Sequence, residues 1–231
     1  MESVVRTKVV RTKEEACSLQ SSILFSDMHP EELDYALAFF HAHRRSYEKG
    51  EILNPVGEPL PFFGLVLSGC VQVRTDDIDG NPMIMATVDP GETFGESLHY
   101  LRRDANVYIV AMTDAVILTM QAGEMYPSTV QSGRSERDAA LIHRFLLLLT
   151  NRTLAMNNRI QVLSKLSIRE KLFTLFSMYQ KPNGTRTIRL PFDRSGLAVY
   201  LGVNRCALSR ELSRMQHEGL IRFDKNEFTI L

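Results

Sequence analysis

The period of apolar positions changes along this chain, and each change predicts a different kind of element. Within Ser18 to Ala42, Pro30-Glu31-Glu32 opens a short amphipathic helix, with proline in its first turn and acids at the positive end of the helix dipole. Leu33, Leu37 and Phe40 are its expected buried side. From Tyr47 to about Met120 the apolar runs are short and glycine-punctuated: YEKGEIL, FFGLVLSG, CVQVRT, NPMIMATVDPG, NVYIVAM and AVILTM. Asp79-Gly80-Asn81 marks a hairpin turn. Many short strands at this spacing predict an antiparallel barrel or roll.

From Ser135 to Leu163 the pattern becomes heptad. Ile142, Leu149, Met156 and Leu163 recur every seventh residue, interleaved with Leu146, Thr153 and Ile160. Alternating steps of four and three form a seam for a parallel partner helix. Leu147, Leu148 and Leu154 lie off that seam and are expected to pack inward, leaving it to a second copy of the chain. Ser167-Ile168-Arg169-Glu170 is a capping box that starts a new helix running through Tyr179. The break at Lys165-Leu166 is therefore the expected domain boundary and hinge, and Lys181 to Gly184 the expected closing turn.

Asp193 to Ile221 reads as two short helices around a sharp turn. Leu197, Ala198 and Leu201 form one apolar face, Gly202-Val203 break the helix, and Asn204 caps the next. Leu208, Leu212 and Met215 give that second helix one buried stripe. Its opposite face carries Arg205, Cys206, Ser209 and Ser213, with Arg210 and Arg214 beside them. Small residues at the crossing and a polar outer face are the helix-turn-helix arrangement, whose second helix suits the DNA major groove. Two strands, Gly219 to Phe223 and Glu227 to Leu231, turn near Lys225-Asn226 and form the wing of a winged helix; a short strand at Thr187 to Leu190 precedes them. The predicted class is α+β, divided as 1–133, 134–164 and 165–231.

Charge sharpens this picture. The whole chain is formally neutral, yet residues 165–231 hold 12 Lys+Arg against 6 Asp+Glu, a net of +6, and residues 1–164 are net −6. A basic terminal module on an acidic body is the footprint of a phosphate-binding head. Cys17, Cys70 and Cys206 stand far apart with no CxxC pair, and the N-terminus has no apolar signal core. The longest purely apolar run, Phe145 to Leu149, is too short to cross a bilayer. A reducing cytoplasm, no structural metal and no membrane are the expectations.

His41-Ala42-His43 and Glu48 have a spacing that resembles the metal-binding motif of cupin enzymes, but without its flanking glycines and beside Arg44-Arg45. A solvated surface cluster is the expectation there, with no catalytic residues. Two alternatives stay open: a cupin-like metal enzyme using these three side chains, or an effector-binding dimerisation module whose head contacts protein.

The order of roll, long helix and winged helix-turn-helix resembles the CRP/FNR family of bacterial transcription regulators over roughly residues 24–231. Its specific pieces are PGETFGES (Pro90 to Ser97) and GVNRCALSREL (Gly202 to Leu212). The resemblance implies a cyclic-nucleotide-binding-like jelly roll holding a small effector, a homodimer, a palindromic duplex and RNA polymerase as partners. It places the effector pocket at Phe94, Gly95, Glu96, Ser97, Ala105, Asn106 and Met156. Glu96 matches the ribose-binding glutamate of the cyclic-AMP branch, but Ala105-Asn106 fall where that branch has its phosphate-binding Arg-Ser pair, with Arg102 and Arg103 displaced upstream. Near Leu154-Ala155-Met156 the adenine-facing hydroxyls are missing as well. Cyclic AMP is therefore not expected. Neither is an iron–sulfur cluster, since Cys17 stands alone in the N-terminal region. His99 and His143 could serve haem, but an organic effector is the default and the cofactor stays unknown. At the DNA end, the resemblance makes Arg205 and Arg210 guanine readers and aligns Ser209 with a base-contacting serine. Cys206 replaces a cytosine-reading glutamate, and a thiol cannot be that acceptor. Arg214, with Lys171 or Arg194, is expected at phosphate.

Overall fold

The computed structural model describes residues 9–76, 78–80, 82–125, 135–180 and 186–231. They form two compact units, Met1–Leu149 and Thr150–Leu231.

The first unit holds helices α1 (Lys13–Ser21) and α2 (Pro30–Phe39), then strands β1 (His43–Tyr47), β2 (Ile52–Asn54), β3 (Phe63–Ser68), β4 (Val71–Asp76), β5 (Pro82–Val88) and β6 (Thr93–Phe94). Helix α3 (Glu96–Leu101) and strands β7 (Tyr108–Ala111) and β8 (Ala115–Met120) complete it, with the first half of α4 (Glu136–Leu163). The strands make two four-stranded antiparallel sheets, ordered β1-β8-β3-β6 and β2-β7-β4-β5. Their inner faces share one core: Val66, Phe94, Ala115 and Ile117 from the first meet Val71, Val88, Ile109 and Ala111 from the second.

Strand β3 explains why this roll wears helices on one side. Side chains alternate across a strand, so a strand buried on both faces reads as a continuous apolar run. Val66 enters the roll, while Phe63, Leu65 and Leu67 join a second core with α1, α2 and Leu141 and Phe145 of α4. An ion pair helps hold α1 on the roll: Arg44 Nη2 of β1 lies 2.9 Å from the buried Glu15 Oε1. Burial opposes the Glu15 charge, but the Arg44 guanidinium and the Arg11 and Thr12 amides outweigh it and lower its pKa. Neither α1 nor β1 shows in the hydrophobic pattern, because both carry charged residues that find partners only in the fold. Arg44 is thereby partly covered, whereas His41, His43 and Glu48 around it are exposed.

Helix α4 matches the expected long helix to within one residue. Its inward residues in the first unit are Leu141 and Phe145, with Ile142, Leu148 and Leu149 partly covered. The expected inward packing of Leu147 and Leu154 does not occur; both are exposed. The reason is angle: at about 100° per residue, Leu147 stands roughly 200° round the helix from Phe145, on the side away from the buried stripe. Leu146, Met156 and Ile160 of the seam are 55%, 61% and 59% exposed, and Thr153 is exposed too.

The second unit contains the end of α4, then α5 (Ile168–Tyr179), β9 (Thr187–Arg189), α6 (Arg194–Leu201), α7 (Arg205–His217), β10 (Ile221–Asp224) and β11 (Glu227–Ile230). Ser167 caps α5 through the expected capping box with Glu170. One core joins Leu172, Leu175 and Phe176 of α5 to α6, α7 and the sheet β10-β11-β9. Val162 of α4 is fully buried in that core, so the last turn of the long helix packs with the head. The predicted turns at Asn81 and at Lys181 to Gly184 lie outside the described residues.

Candidate nucleic-acid interface

The site is built from α6, the turn and α7. Asp193 caps α6, its carboxylate accepting from the Gly196 amide at 2.6 Å. Gly202 closes α6 in the left-handed conformation, φ +62°. Asn204 then caps α7, accepting from the Cys206 and Ala207 amides at 2.8 and 3.4 Å. Leu208, Leu212 and Met215 are fully buried as the spacing requires. That stripe fixes which way α7 faces. Arg205, Cys206, Arg210, Ser213 and Arg214 are exposed on the remaining arc, and Ser209 is half-buried among them. The six residues expected at DNA thus share one accessible helix surface.

Around them the cations differ in their freedom. Lys171 Nζ donates to the Leu201 carbonyl at 2.9 Å, satisfying the end of α6, so its charge serves the turn. Arg194 stacks on the Phe223 ring of the wing, 4.9 Å from its centroid. Its buried Nη1 meets no hydrogen-bond partner among the described residues. Burial, then the neighbouring charge of Arg205, lower its pKa. Arg194 lines a cleft of about 850 Å³ with Tyr179, Arg189, Phe192, Lys225 and Asn226. Lys225 sits at the wing turn with φ +51°. Its place in the cleft with Arg189 is not legible in the sequence, because the wing and β9 lie 36 positions apart where Asn226 Nδ2 reaches the Leu190 carbonyl.

In the first unit, Phe94, Glu96 and Ala105 are buried, Gly95 is partly covered, and Ser97 and Asn106 are exposed. Met156 is exposed and belongs to the second unit. Gly95 opens α3 with φ +80°, and a Cβ there would stand 2.1 Å from Leu60 Cδ2. Glu96 Oε1 accepts a short hydrogen bond from Thr93 Oγ1. The Phe94 ring occupies the roll interior against Gly64, where a Cβ would be 2.3 Å away. His99 is engaged at both ring nitrogens. Nδ1 lies 2.9 Å from the Leu60 carbonyl, and Nε2 accepts from the Ala122 amide at 3.1 Å. That fixes a neutral tautomer and leaves no nitrogen for iron. His41, His43 and Glu48 are exposed, and among the described residues no group of His, Cys, Asp or Glu is arranged to hold a metal. Among the same residues no helix is long and apolar enough to cross a membrane.

A winged helix-turn-helix with a basic accessible second helix, in a chain that also carries a two-sheet roll, is the architecture of a DNA-binding transcription regulator. Comparison with known proteins agrees at both ends of the chain. Residues 44–127 match the cyclic nucleotide-binding domain, and residues 142–231 match the Crp-like helix-turn-helix domain. The Cyclic AMP receptor protein of Thermus thermophilus is 26% identical over 88% of this chain and 90% of its own length. The CRP-like protein Clp of Xanthomonas campestris is 23% identical over 78% of this chain and 80% of its own. Among solved structures, a putative cyclic nucleotide binding protein from Ruegeria pomeroyi shares the fold with TM-score 0.52 and 19% identity, covering 96% of this chain and 94% of that one. The c-di-GMP responsive regulator CLP of Xanthomonas campestris gives TM-score 0.51 and 20% identity, over 87% and 99%. The chain belongs to the CRP/FNR family of transcription regulators. It is a regulator and not an enzyme, which sets aside the cupin-like alternative.

Proposed function

We propose that the chain works as a cytoplasmic homodimer that reads a palindromic duplex, senses a small effector in its roll and acts on RNA polymerase. Residues 1–133 serve sensing, 134–164 pairing and 165–231 DNA reading. The observation that carries this is the single accessible face of α7, with Arg205, Cys206, Ser209, Arg210, Ser213 and Arg214 outward and the Leu208-Leu212-Met215 stripe fully buried. Arg205 and Arg210 donate to guanine edges, bidentate geometry that suits guanidinium. Ser209 touches a base or a thymine methyl. Cys206 leaves one base pair without an acceptor, so the half-site departs there from the one the cyclic-AMP branch reads. Arg214, Arg194 and Lys225 meet phosphates, which position the head without specifying sequence.

Pairing uses Ile142, Leu146, Leu149, Thr153, Met156, Ile160 and Leu163 of α4. The exposure of Leu146, Met156 and Ile160 supports this, since a lone helix does not keep such a stripe in water without cause. Two-fold pairing sets the recognition helices about one helical turn of DNA apart. The effector is an organic molecule other than cyclic AMP, in the region of Phe94 to Ser97, Ala105 and Asn106. Ala105-Asn106 offer no cation for a cyclic phosphate.

The test is fluorescence anisotropy of the full-length protein on a duplex enriched from a random pool. Affinity falling steeply and linearly with the logarithm of salt concentration supports phosphate neutralisation. A salt-independent affinity, or no preference for the enriched duplex over a scrambled one, overturns the reading. Native mass spectrometry of the purified protein identifies any retained effector.

A further inference from the structure

The recognition helix is gripped along one flank by one side chain whose role is not accounted for by capping or core packing. Arg169, the second residue of α5, donates through Nε to Glu211 Oε1 at 2.7 Å. It donates through Nη1 to Glu218 Oε2 at 2.7 Å and through Nη2 to Glu218 Oε1 at 3.1 Å. Glu211, within α7, and Glu218, its C-cap, are seven residues apart, about two turns along one side. A single planar guanidinium therefore spans two turns of the helix, a fork that a point charge cannot reproduce. Glu218 Oε1 also accepts from Arg214 Nε at 2.9 Å. Arg210 and Arg214 line the same recess as Arg169 and Glu211.

Two consequences follow from this geometry. Contacts at i and i+7 define a stripe, so holding both ends of it fixes the rotation of α7 about its own axis. That rotation decides where Arg205 and Arg210 point. The fork also compensates two carboxylates on the helix that approaches DNA. Left unpaired, Glu211 and Glu218 would repel phosphate and compete with it for Arg214. The hydrogen bonds from Arg169 lower the Glu218 pKa against the opposing effect of burial, and Arg214 lowers it further, in keeping with a carboxylate held charged between cations.

We propose that Arg169 is a positioning residue for DNA reading, which sets the rotation of the recognition helix and, together with Arg214, compensates the two carboxylates on its flank. The proposal rests on α7 being the helix that enters the groove.

Full-length wild type, Arg169→Lys, Arg169→Ala and Glu218→Gln are compared on the enriched duplex and on a scrambled duplex of equal length, across a salt series. Melting by circular dichroism runs in parallel. In Arg169→Lys the charge stays but the fork is lost. Affinity for the enriched duplex is expected to fall about tenfold, with scrambled affinity within about twofold of wild type, so that discrimination drops. Glu218→Gln, which opens one end of the fork, is expected to reduce discrimination in the same direction. Arg169→Ala is expected to weaken both duplexes, and adding Glu211→Gln and Glu218→Gln to restore only the scrambled one. Wild-type discrimination in Arg169→Lys, or an equal loss on both duplexes, overturns the proposal. A wild-type protein that does not discriminate instead overturns the reading of α7 itself.

Discussion

Gly202 makes the helix-turn-helix possible, and its replacement by alanine is the sharpest single test of that turn. The residue sits at φ +62°, ψ +45°, between α6 and α7, where the Gly202 amide donates to the Val199 carbonyl at 3.1 Å and the Val203 amide to Ala198 at 3.0 Å. An L-residue in this region crowds its Cβ against its own carbonyl, which costs about 1–2 kcal/mol. A Cβ would also stand 3.1 Å from Leu163 Cδ2. That methyl ends a flexible, partly exposed side chain and gives way by a few tenths of an ångström, so the backbone cost dominates. Gly202→Ala is therefore expected to destabilise the head by about 1–2 kcal/mol, lowering its melting by roughly 5–10 °C. Gly219 supplies the internal control. Its φ is +75° and nothing lies within 4 Å of a Cβ there. Gly219→Ala isolates the backbone cost, and any excess in Gly202→Ala measures the Leu163 contact. Gly202→Asn is expected to be milder, since asparagine tolerates this conformation. Urea titration combined with amide exchange on α6 and α7 reads the effect locally. Unchanged protection in Gly202→Ala refutes the claim that the turn depends on a left-handed residue.

Four further outcomes follow from the same structure. Arg210→Ala is expected to cost about 1–3 kcal/mol on the enriched duplex and to relax preference at one base pair, read by competition with single-base variants; an unchanged preference removes the assignment. Lys225→Ala is expected to weaken enriched and scrambled duplexes alike and to reduce the salt slope by about 1, and a sequence-selective effect would contradict a phosphate role. Leu146→Glu with Ile160→Glu is expected to yield a monomer in sedimentation, and a persistent dimer would move the interface off α4. Stability of the roll is expected to fall as pH drops below neutrality. Burial, with help from Arg102, lowers the His99 pKa from its ordinary 6.5 against the pull of the Leu60 carbonyl. A depressed folded pKa means the neutral form is favoured, so its contribution is full above 6.5 and lost as pH falls through the lower folded value. Glu15, also lowered, adds a separate loss below about 4.5. A flat melting profile between pH 7.5 and 5.5 would show that His99 titrates no differently in the fold.

The elements whose pattern is local were legible in the chain. The heptads of α4, the Ser167 capping box, the Gly202 turn and the short glycine-punctuated runs of the roll all depend on neighbours a few residues away. The orientation of α7 was legible too, because Leu208, Leu212 and Met215 leave only one arc for Arg205 and Arg210. Other features were hidden for a reason that charge patterns share. Glu15 and Arg44 read as ordinary surface residues until a buried pair joins them across 29 positions. Leu147 and Leu154 read as inward, yet the helix turns them out.

The sequence by itself determined the order of roll, long helix and winged head, because backbone propensity and apolar period are short-range. Only the tertiary structure decided which charges are available. It turned Lys171 to a carbonyl, left Arg194 with an unsatisfied donor above Phe223, and locked Arg169 into a fork with Glu211 and Glu218. Electrostatic partners are chosen by distance in space, which no spacing along the chain encodes.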